Sequence, residues 1–161
     1  MVRLIYDCVK APYDIANILQ VALALGECEL YFTGNSLRHD HPKIVSKLRS
    51  WSSKIRLQGL TGLNVHYYQS FEALVVQLKK QKIYLIGTSP NAKKSFYEMD
   101  LSKNDFAIVF GTEVGGLSKS KIANMDEIVK IPMLPEIDFM TLSIVTPIIA
   151  YEVSRQQGIF K

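Results

Sequence analysis

The sequence is poor in several features that define whole classes of protein. Its 161 residues include only two cysteines, Cys8 and Cys28, and these form no CxxC pair. So few cysteines argue against a disulfide-stabilised scaffold and predict two free thiols, buried or half-buried, in a reducing compartment. Arg3 interrupts the first apolar run, so no signal peptide is visible. No apolar run reaches the roughly 20 residues that a membrane span requires, and we therefore expect a cytoplasmic protein.

The familiar signatures of several kinds of site are also missing. The chain contains neither of the phosphate-binding patterns GxxxxGK(S/T) and GxGxxG, and it lacks the nucleophile pattern GxSxG. His39, His41 and His66 do not combine with the cysteines at a spacing that suits zinc, so we expect no metal. A nucleotide could still be held through its adenine and ribose by backbone groups.

The composition fits one compact domain that spans residues 1–161. Hydrophobic residues make up 48% of the chain and charged residues 21%, which is enough apolar material for a single core. The net charge is +4 and the isoelectric point is near 9.0. A mildly basic surface suits a polyanion such as RNA, although it is common in proteins without one. The segment KIVSKLRSWSSKIR holds five basic residues, and it is either a functional patch or a solvated helix face.

Strand-like and helix-like segments alternate along the chain. The predicted strands are VRLIYDCV, CELYFTG, NVHYY, KIYLIGTS, FAIVFGTE and EIVKIPM, and the predicted helices are YDIANILQVALALG, HPKIVSKLRSWSSKI, SFEALVVQLKKQ, LSKSKI and MTLSIVTPIIAYEVSRQQG. Asp14 predicts an N-cap, Gly26 a helix stop and Ser70 a second N-cap. Pro42 predicts a first helical turn, and Pro147 predicts a kink unless the last helix begins near it. The alternation indicates an α/β fold, with a parallel sheet covered by helices on both faces.

Three late strands end in loops that could share one ligand. The loops read GTSPN, GTEVGGLS and IPMLPEID, and ligands of such sheets lie beyond the carboxyl ends of the strands. Glycine lets a backbone approach a ligand closely. Each of Gly87, Gly111, Gly115 and Gly116 taken alone is best explained by a tight turn, but three such loops together favour a joint site. In such a site we expect the ligand to occupy the space that a side chain at Gly111 would fill.

Two of these loops carry motifs of a known family. The segments FAIVFGTEVGGLSKS and IPMLPEIDFMTLSIVTPIIAYE resemble the second and third motifs of the SpoU, or TrmH, family of SPOUT methyltransferases. The matching residues are Gly111, Glu113, Gly116, Leu117 and Ser118 in the second motif and Ile131, Pro132, Met133 and Ser143 in the third. DIANILQVALALG echoes the first motif, of which only Ala22 and Gly26 are kept.

The resemblance implies a fold, a cofactor and a substrate class. Members of the family transfer the methyl group of S-adenosylmethionine, usually to a ribose 2′-hydroxyl of tRNA or rRNA. They work as homodimers, and a C-terminal segment threads a deep trefoil knot. By resemblance the cofactor would be bound by Gly87, Thr88, Gly111, Glu113, Ile131, Met133, Phe139, Met140 and Leu142. Glu113 would orient a loop or favour the sulfonium cation, or it would only cap the amides of the following helix.

Several catalytic positions depart from the family pattern. Gln20 stands where the family has an arginine, and a neutral amide cannot stabilise an alkoxide as a cation does. Asp14 and Ala16 replace an asparagine and a glycine of the first motif. Phe139 and Thr141 replace a serine and an asparagine of the third motif. By resemblance the candidate catalytic residues are Gln20, Glu113, Thr141 and Ser143.

These departures leave several functions open. The chain could methylate a ribose with another group, such as Arg38 or Arg3, or it could methylate a base nitrogen that needs no arginine. It could also bind RNA and cofactor without catalysis, or be a small nucleotide-binding or scaffold protein. We rank an RNA methyltransferase first.

Two interfaces are expected. RNA would contact six basic residues, Arg38, Lys43, Lys47, Arg49, Lys54 and Arg56. A homodimer would pack through the helix of residues 13–25 and the last helix, because both carry more apolar surface than one sheet face requires.

Overall fold

A computed structural model describes residues 1–58, 60–102, 105–112, 115–137 and 139–159, with the backbone alone for residues 56–58. Its strands are β1 Val2–Asp7, β2 Cys28–Thr33, β3 Asn64–Tyr68, β4 Tyr84–Thr88, β5 Lys94–Ser95, β6 Phe106–Phe110 and β7 Glu127–Lys130. Its helices are α1 Pro12–Leu25, α2 Pro42–Trp51, α3 Ser53–Gln58, α4 Phe71–Lys80, α5 Lys119–Ile122 and α6 Leu142–Gln156, with a 3₁₀ turn at Phe96–Glu98. None of the helices in these ranges is long and apolar enough to cross a bilayer.

The strands form one sheet in the order β3-β2-β1-β6-β4-β7-β5. Every pair of neighbouring strands is parallel, so the predicted parallel sheet is confirmed. The order places β6 between β1 and β4, and therefore the carboxyl ends of β6 and β4 lie side by side near the middle of the sheet. The short edge strand β5 has no counterpart in the sequence-based prediction.

Helices cover both faces of the sheet because side chains alternate along each strand. Leu4 and Tyr6 of β1 point into a core built with α1, α2 and α6. Ile5, between them, points into a second core built mainly with α4. The apolar stripe of α1, for example Ile15 and Leu19, is buried in the first core. The stripe is therefore not available for a dimer interface. The sequence-based expectation that it packs against a second copy is not met, because it is buried within the chain.

The ends of the helices show where local signals succeed. Gly26 ends α1 with a φ of 73°, and the Ser70 hydroxyl accepts a hydrogen bond from the amide of Ala73, as predicted. The prediction that Asp14 caps the helix was wrong because α1 begins at Pro12, and its cap is Ala11, three residues before Asp14. That start leaves Asp14 in the first turn.

The second predicted helix is two helices. Ser52 is extended, with a φ of −139°, and its hydroxyl accepts a hydrogen bond from the amide of Ile55. This bond caps the start of α3, so the two helices are separated at Ser52. The last predicted helix is a single element, α6, which begins at Leu142 and therefore holds Pro147 in its second turn.

Candidate functional site

A cavity of about 620 Å³ opens at the carboxyl ends of β4 and β6. Its walls come from the loop after β4, the loop after β6, the segment between β7 and α6, and α6 itself. These are the three loops that the sequence predicted to form a joint site. Most of the residues expected there do line it, namely Thr88, Gly111, Ile131, Met133, Phe139, Met140, Thr141 and Leu142. Their roles in binding a cofactor stay a prediction.

The loop after β6 folds back on the end of its own strand. The amide of Thr112 donates to the carbonyl of Gly116 at 3.2 Å, and the amide of Gly116 donates back at 3.3 Å. A Cβ added to Gly111 would lie 2.1 Å from the carbonyl carbon of Gly116 and 2.3 Å from the amide nitrogen of Leu117. The chain excludes a side chain at Gly111 because its own loop needs the space. The expectation that a ligand fills that space was therefore wrong.

Two glycines of the same loop leave bare backbone at the cavity. Gly115 and Gly116 have φ values of 93° and 64°, which glycine adopts without strain. A Cβ at either residue would have no atom within 4 Å, and both residues line the cavity. A flat ligand could therefore approach the backbone here without meeting side chains.

Gly87 does not line the cavity, and its lack of a side chain makes room for neighbouring apolar side chains. A Cβ on Gly87 would lie 2.6 Å from a methyl carbon of Ile128, 2.8 Å from Met125 and 3.0 Å from Leu117. The next residue, Thr88, does line the cavity, and its hydroxyl donates to the carbonyl of Val109 at 3.1 Å. This bond ties β4 to β6 where the cavity begins.

A buried ion pair fixes the chain that follows the glycine loop. The ammonium of Lys121, on α5, pairs with the carboxylate of Asp7 at the end of β1. Asp7 is 2% exposed and also accepts a hydrogen bond of 2.8 Å from the hydroxyl of Thr33. Because breaking one side of a buried pair leaves an uncompensated charge, α5 is firmly attached to the sheet beside the cavity.

The segment before α6 presents the hydroxyl group of Thr141 at the cavity. Thr141 lines the cavity, and its hydroxyl is 2.8 Å from that of Ser143. Ser143 itself is outside the lining. Phe139 is 68% exposed even though it lines the cavity, so its ring stands at the opening and remains open to solvent.

Asp14 is a cavity residue that the sequence-based reasoning missed as a site residue. It lies in the first turn of α1, lines the cavity and is half-buried. Among the described residues it has no ion pair or side-chain hydrogen bond, whereas the neighbouring walls are largely apolar. Its place in the first motif, where the family has asparagine, was the signal that could have identified it.

The arginine candidates lie elsewhere. Arg3 pairs with Glu29 at 3.0 Å and with Asp105 at 3.1 Å. Arg3 is in the first half of β1, at the amino end of the sheet and opposite the cavity, so it cannot act as a substitute catalytic cation in the cavity of its own chain. Arg38 is exposed, pairs with Asp40 at 3.3 Å and stacks over the Tyr67 ring at 4.7 Å. Arg38 is also absent from the cavity lining.

The remaining predicted residues divide between the surface and the undescribed parts of the chain. Gln20 is exposed on α1 and does not line the cavity. Lys43, Lys47 and Arg49 lie on α2 and Lys54 on α3, all exposed or half-buried. Glu113 and the side chain of Arg56 lie outside the described residues.

The comparison with known proteins agrees with the resemblance. A model of the SpoU rRNA Methylase family matches residues 1–151. A putative tRNA (cytidine(34)-2′-O)-methyltransferase of Bacillus subtilis is 35% identical over 100 residues, covering 60% of this chain and 61% of that protein. The 23S rRNA (guanosine-2′-O-)-methyltransferase RlmB of Xanthomonas axonopodis is 27% identical over 154 residues, covering 96% of this chain and 58% of RlmB. The chain thus spans between 53% and 61% of the length of the first curated relatives that it matches.

Solved structures share the whole fold. A putative RNA methyltransferase from Bacillus anthracis superimposes with a TM-score of 0.78 and 25% identity, covering 99% of this chain and 96% of that one. The SpoU methyltransferase AviRb from Streptomyces viridochromogenes, solved in complex with AdoMet, has a TM-score of 0.81 and 22% identity. This second match covers 98% of this chain and 58% of AviRb, and it shows a likeness of fold.

Proposed function

The chain belongs to the SpoU rRNA Methylase family, and from this premise we propose that it is an S-adenosylmethionine-dependent RNA methyltransferase. The proposed acceptor is a ribose 2′-hydroxyl of tRNA or rRNA, the chemistry named for two of its relatives. One observation carries the proposal. The cavity at the ends of β4 and β6 is walled by eight of the ten residues, Glu113 aside, that the motifs and their surroundings assign to cofactor or acceptor on those loops.

The cavity suits an adenosine-containing cofactor. Its volume of about 620 Å³ lies within the range of small-molecule sites, roughly 300–1,000 Å³. Apolar side chains such as Ile131, Met133 and Leu142 would pack against the adenine, and the bare backbone of Gly115 and Gly116 would face it. S-adenosylmethionine, when bound, supplies a methyl group activated by a sulfonium centre.

We assign the negative charge of Asp14 to recognition of that positive cofactor. A half-buried carboxylate without a cationic partner among the described residues attracts a positive ligand more strongly than one exposed to water. The alternative is that Asp14 only complements the positive end of the α1 dipole. The two explanations differ in one respect, because only the first makes Asp14 distinguish S-adenosylmethionine from neutral S-adenosylhomocysteine.

The acceptor would meet the hydroxyl pair at the opening. Thr141 and Ser143 are candidates to orient the ribose, since their hydroxyls already lie within hydrogen-bonding distance of each other. Glu113 stays a candidate from the sequence. Gln20 faces away from the cavity of its own chain, so its catalytic role requires a second copy that brings it to another cavity.

We also propose that two copies form a homodimer. The segment before α6 and the outer face of α6 expose large apolar side chains, namely Leu134, Ile137, Phe139, Ile144 and Tyr151. Leu134 is 74% and Ile144 51% exposed, and such a run of apolar surface is typical of an interface. Light scattering should give the mass of a dimer, and a monomer at micromolar concentration would count against the proposal.

A C-terminal knot and a cytoplasmic location complete the proposal. After β7 the chain returns across the ends of β4 and β6 to place α6 beside β1, where the Tyr6 hydroxyl lies 3.0 Å from that of Thr146. This return path supports a threaded knot. The cytoplasmic location rests on the proposed RNA substrate and on the free thiols of Cys8 and Cys28.

Calorimetry with S-adenosylmethionine and S-adenosylhomocysteine tests the proposal directly. Thr141→Trp should weaken binding at least about tenfold because the larger side chain fills the cavity, and Thr141 makes no side-chain cap that the change would remove. Thr61→Trp, at an exposed turn outside the cavity, should bind as the unaltered protein does. Transfer of labelled methyl to tRNA or rRNA, followed by nuclease digestion, should then yield 2′-O-methyl nucleotides. Absence of cofactor binding, or methyl on a base alone, would overturn the proposed function.

A further inference from the structure

Two exposed aromatic rings meet where α1 begins and α2 ends. Tyr13 is 54% exposed and Trp51 41% exposed. Their ring centroids are 5.9 Å apart and their planes are nearly perpendicular, at 84°. Packing between the two helices accounts for the contact, but it leaves much of both rings in water, which is unfavourable for surfaces of this size.

Positive charge surrounds the aromatic pair. The ammonium of Lys47 lies 5.1 Å from the centre of the Tyr13 ring, a cation–π distance. Beside the rings runs a groove of about 540 Å³ lined by Pro12, Tyr13, Pro42, Lys43, Ser46 and Lys47. The lining of the groove is thus mostly apolar, and two lysines are among the residues that form it.

No negative charge from this part of the sequence offsets the lysines. Between Asp40 and Glu72 the chain contains no acidic residue, but it contains five basic ones. Asp40 is already paired with Arg38 at 3.3 Å, and Asp14 lines the cavity. The surface is therefore complementary in charge to a polyanion, and its exposed rings add an apolar surface on which a ligand could stack.

We propose that the surface formed by Tyr13, Lys43, Lys47 and Trp51 binds single-stranded RNA by stacking an unpaired base on its aromatic rings. Duplex RNA hides its base faces in its own stack, whereas unpaired bases stack on exposed aromatic side chains. The perpendicular rings form a corner, so one base fits there with its face on one ring and its edge on the other. The lysines then hold the flanking phosphates. The inference rests on the proposed RNA substrate, but it does not depend on methyl transfer.

Trp51 reports on its own surface because it is the only tryptophan of the chain. A single-stranded uridine dodecamer should quench its fluorescence at low salt, and added salt should reverse the effect. The same strand annealed to its complement should quench much less. Inorganic polyphosphate should compete for the lysines without quenching, since it has no bases. Equal quenching by polyphosphate, or none by the single strand, would refute stacking.

Variants separate stacking from charge. Binding is followed by anisotropy of a labelled dodecamer, so that it does not need tryptophan. Trp51→Ala should weaken binding roughly tenfold or more and Trp51→Phe much less. Tyr97→Ala, which removes a ring 53% exposed next to the opposite edge strand β5, is the matched control and should have no effect. Lys47→Gln should lower the slope of log affinity against log salt by about 0.7.

Two results would sink the inference. Trp51→Ala and Lys47→Gln could both bind the dodecamer as tightly as Tyr97→Ala does. Alternatively, the fluorescence of Trp51 could change with protein concentration in the absence of RNA, which would show that a second copy of the chain covers this surface. Calorimetry with the cofactor stands apart from both, so failure of the methyltransferase proposal is distinguishable from failure of this one.

Discussion

Replacing Gly111 with alanine tests how the glycine loop is built. The added Cβ would lie 2.1 Å from the carbonyl carbon of Gly116, 2.3 Å from the amide nitrogen of Leu117 and 2.6 Å from the α-carbon of Gly116. Carbon atoms in favourable contact are about 3.5 Å apart, so the loop would have to retreat by roughly 1.4 Å. All three opposing atoms belong to the backbone, which cannot rotate away as a side chain could.

The cost follows from two losses. Overpacking costs typically about 1–3 kcal/mol. The paired hydrogen bonds between Thr112 and Gly116 would break as the loop withdraws, at about 0.5–1.5 kcal/mol each. We therefore expect Gly111→Ala to lower the free energy of unfolding by about 2–6 kcal/mol. In a chain of this size each kcal/mol shifts Tm by about 2–4 °C, so Tm should fall by roughly 5–20 °C.

Thermal unfolding and calorimetry with S-adenosylhomocysteine are measured on the same samples. Cofactor affinity should fall together with Tm, because the displaced loop is also a wall of the cavity. Gly115→Ala is the matched control. Its Cβ meets nothing within 4 Å, but its φ of 93° strains an alanine, so the loss of stability should be only about 1–3 kcal/mol. If Gly111→Ala loses affinity while Tm is unchanged, the methyl group occupies ligand space and this reasoning is refuted.

Three further outcomes are expected. Asp14→Asn should weaken S-adenosylmethionine about fivefold, as for a partly exposed ion pair worth up to about 1 kcal/mol, and leave S-adenosylhomocysteine unchanged; equal losses by calorimetry would contradict this. Burial raises the pKa of the Cys28 thiol to about 12, so at pH 8 its thiolate fraction is on the order of one in ten thousand. Mass spectrometry should then find iodoacetamide on half-buried Cys8 before Cys28, and equal rates would be contrary evidence. Gln20→Arg should raise the rate of 2′-O-methylation by roughly tenfold or more. An equal rate for the unaltered protein would contradict this expectation.

The architecture was predictable because its signals are local. Alternation of strands and helices indicates a parallel sheet. Gly26 ends a helix and Ser70 caps one, and both effects involve only residues within one helical turn. The strand order was not predictable in the same way. The strand β6, Phe106–Phe110, is buried throughout, and that pattern says only that both faces are covered. Its position between β1 and β4 depends on contacts between residues far apart in the sequence.

The candidate site was located by sequence but partly misexplained. The loops do meet at one cavity, because carboxyl ends of parallel strands share one edge of the sheet. The reason for Gly111 was wrong, since no pattern reveals that residue 116 returns to the end of its own strand. Gly87 likewise proved to make room for Ile128 and Leu117. Asp14 was missed because a carboxylate near the start of a helix is usually interpreted as an N-cap.

The two departures on α1 act in different places, and helical geometry explains why. Asp14 and Gln20 are six residues apart, which at 3.6 residues per turn separates them by roughly 120° around the helix axis. One therefore faces the cavity of its own chain, whereas the other faces solvent. Relative to the family pattern, Asp14 places an acid where a cofactor would bind. Gln20 replaces an arginine at a position that can reach only another molecule. If the proposed function holds, cofactor affinity would depend on the fold of the single chain, whereas any effect of Gln20 on an acceptor would depend on what packs against the exposed side of α1.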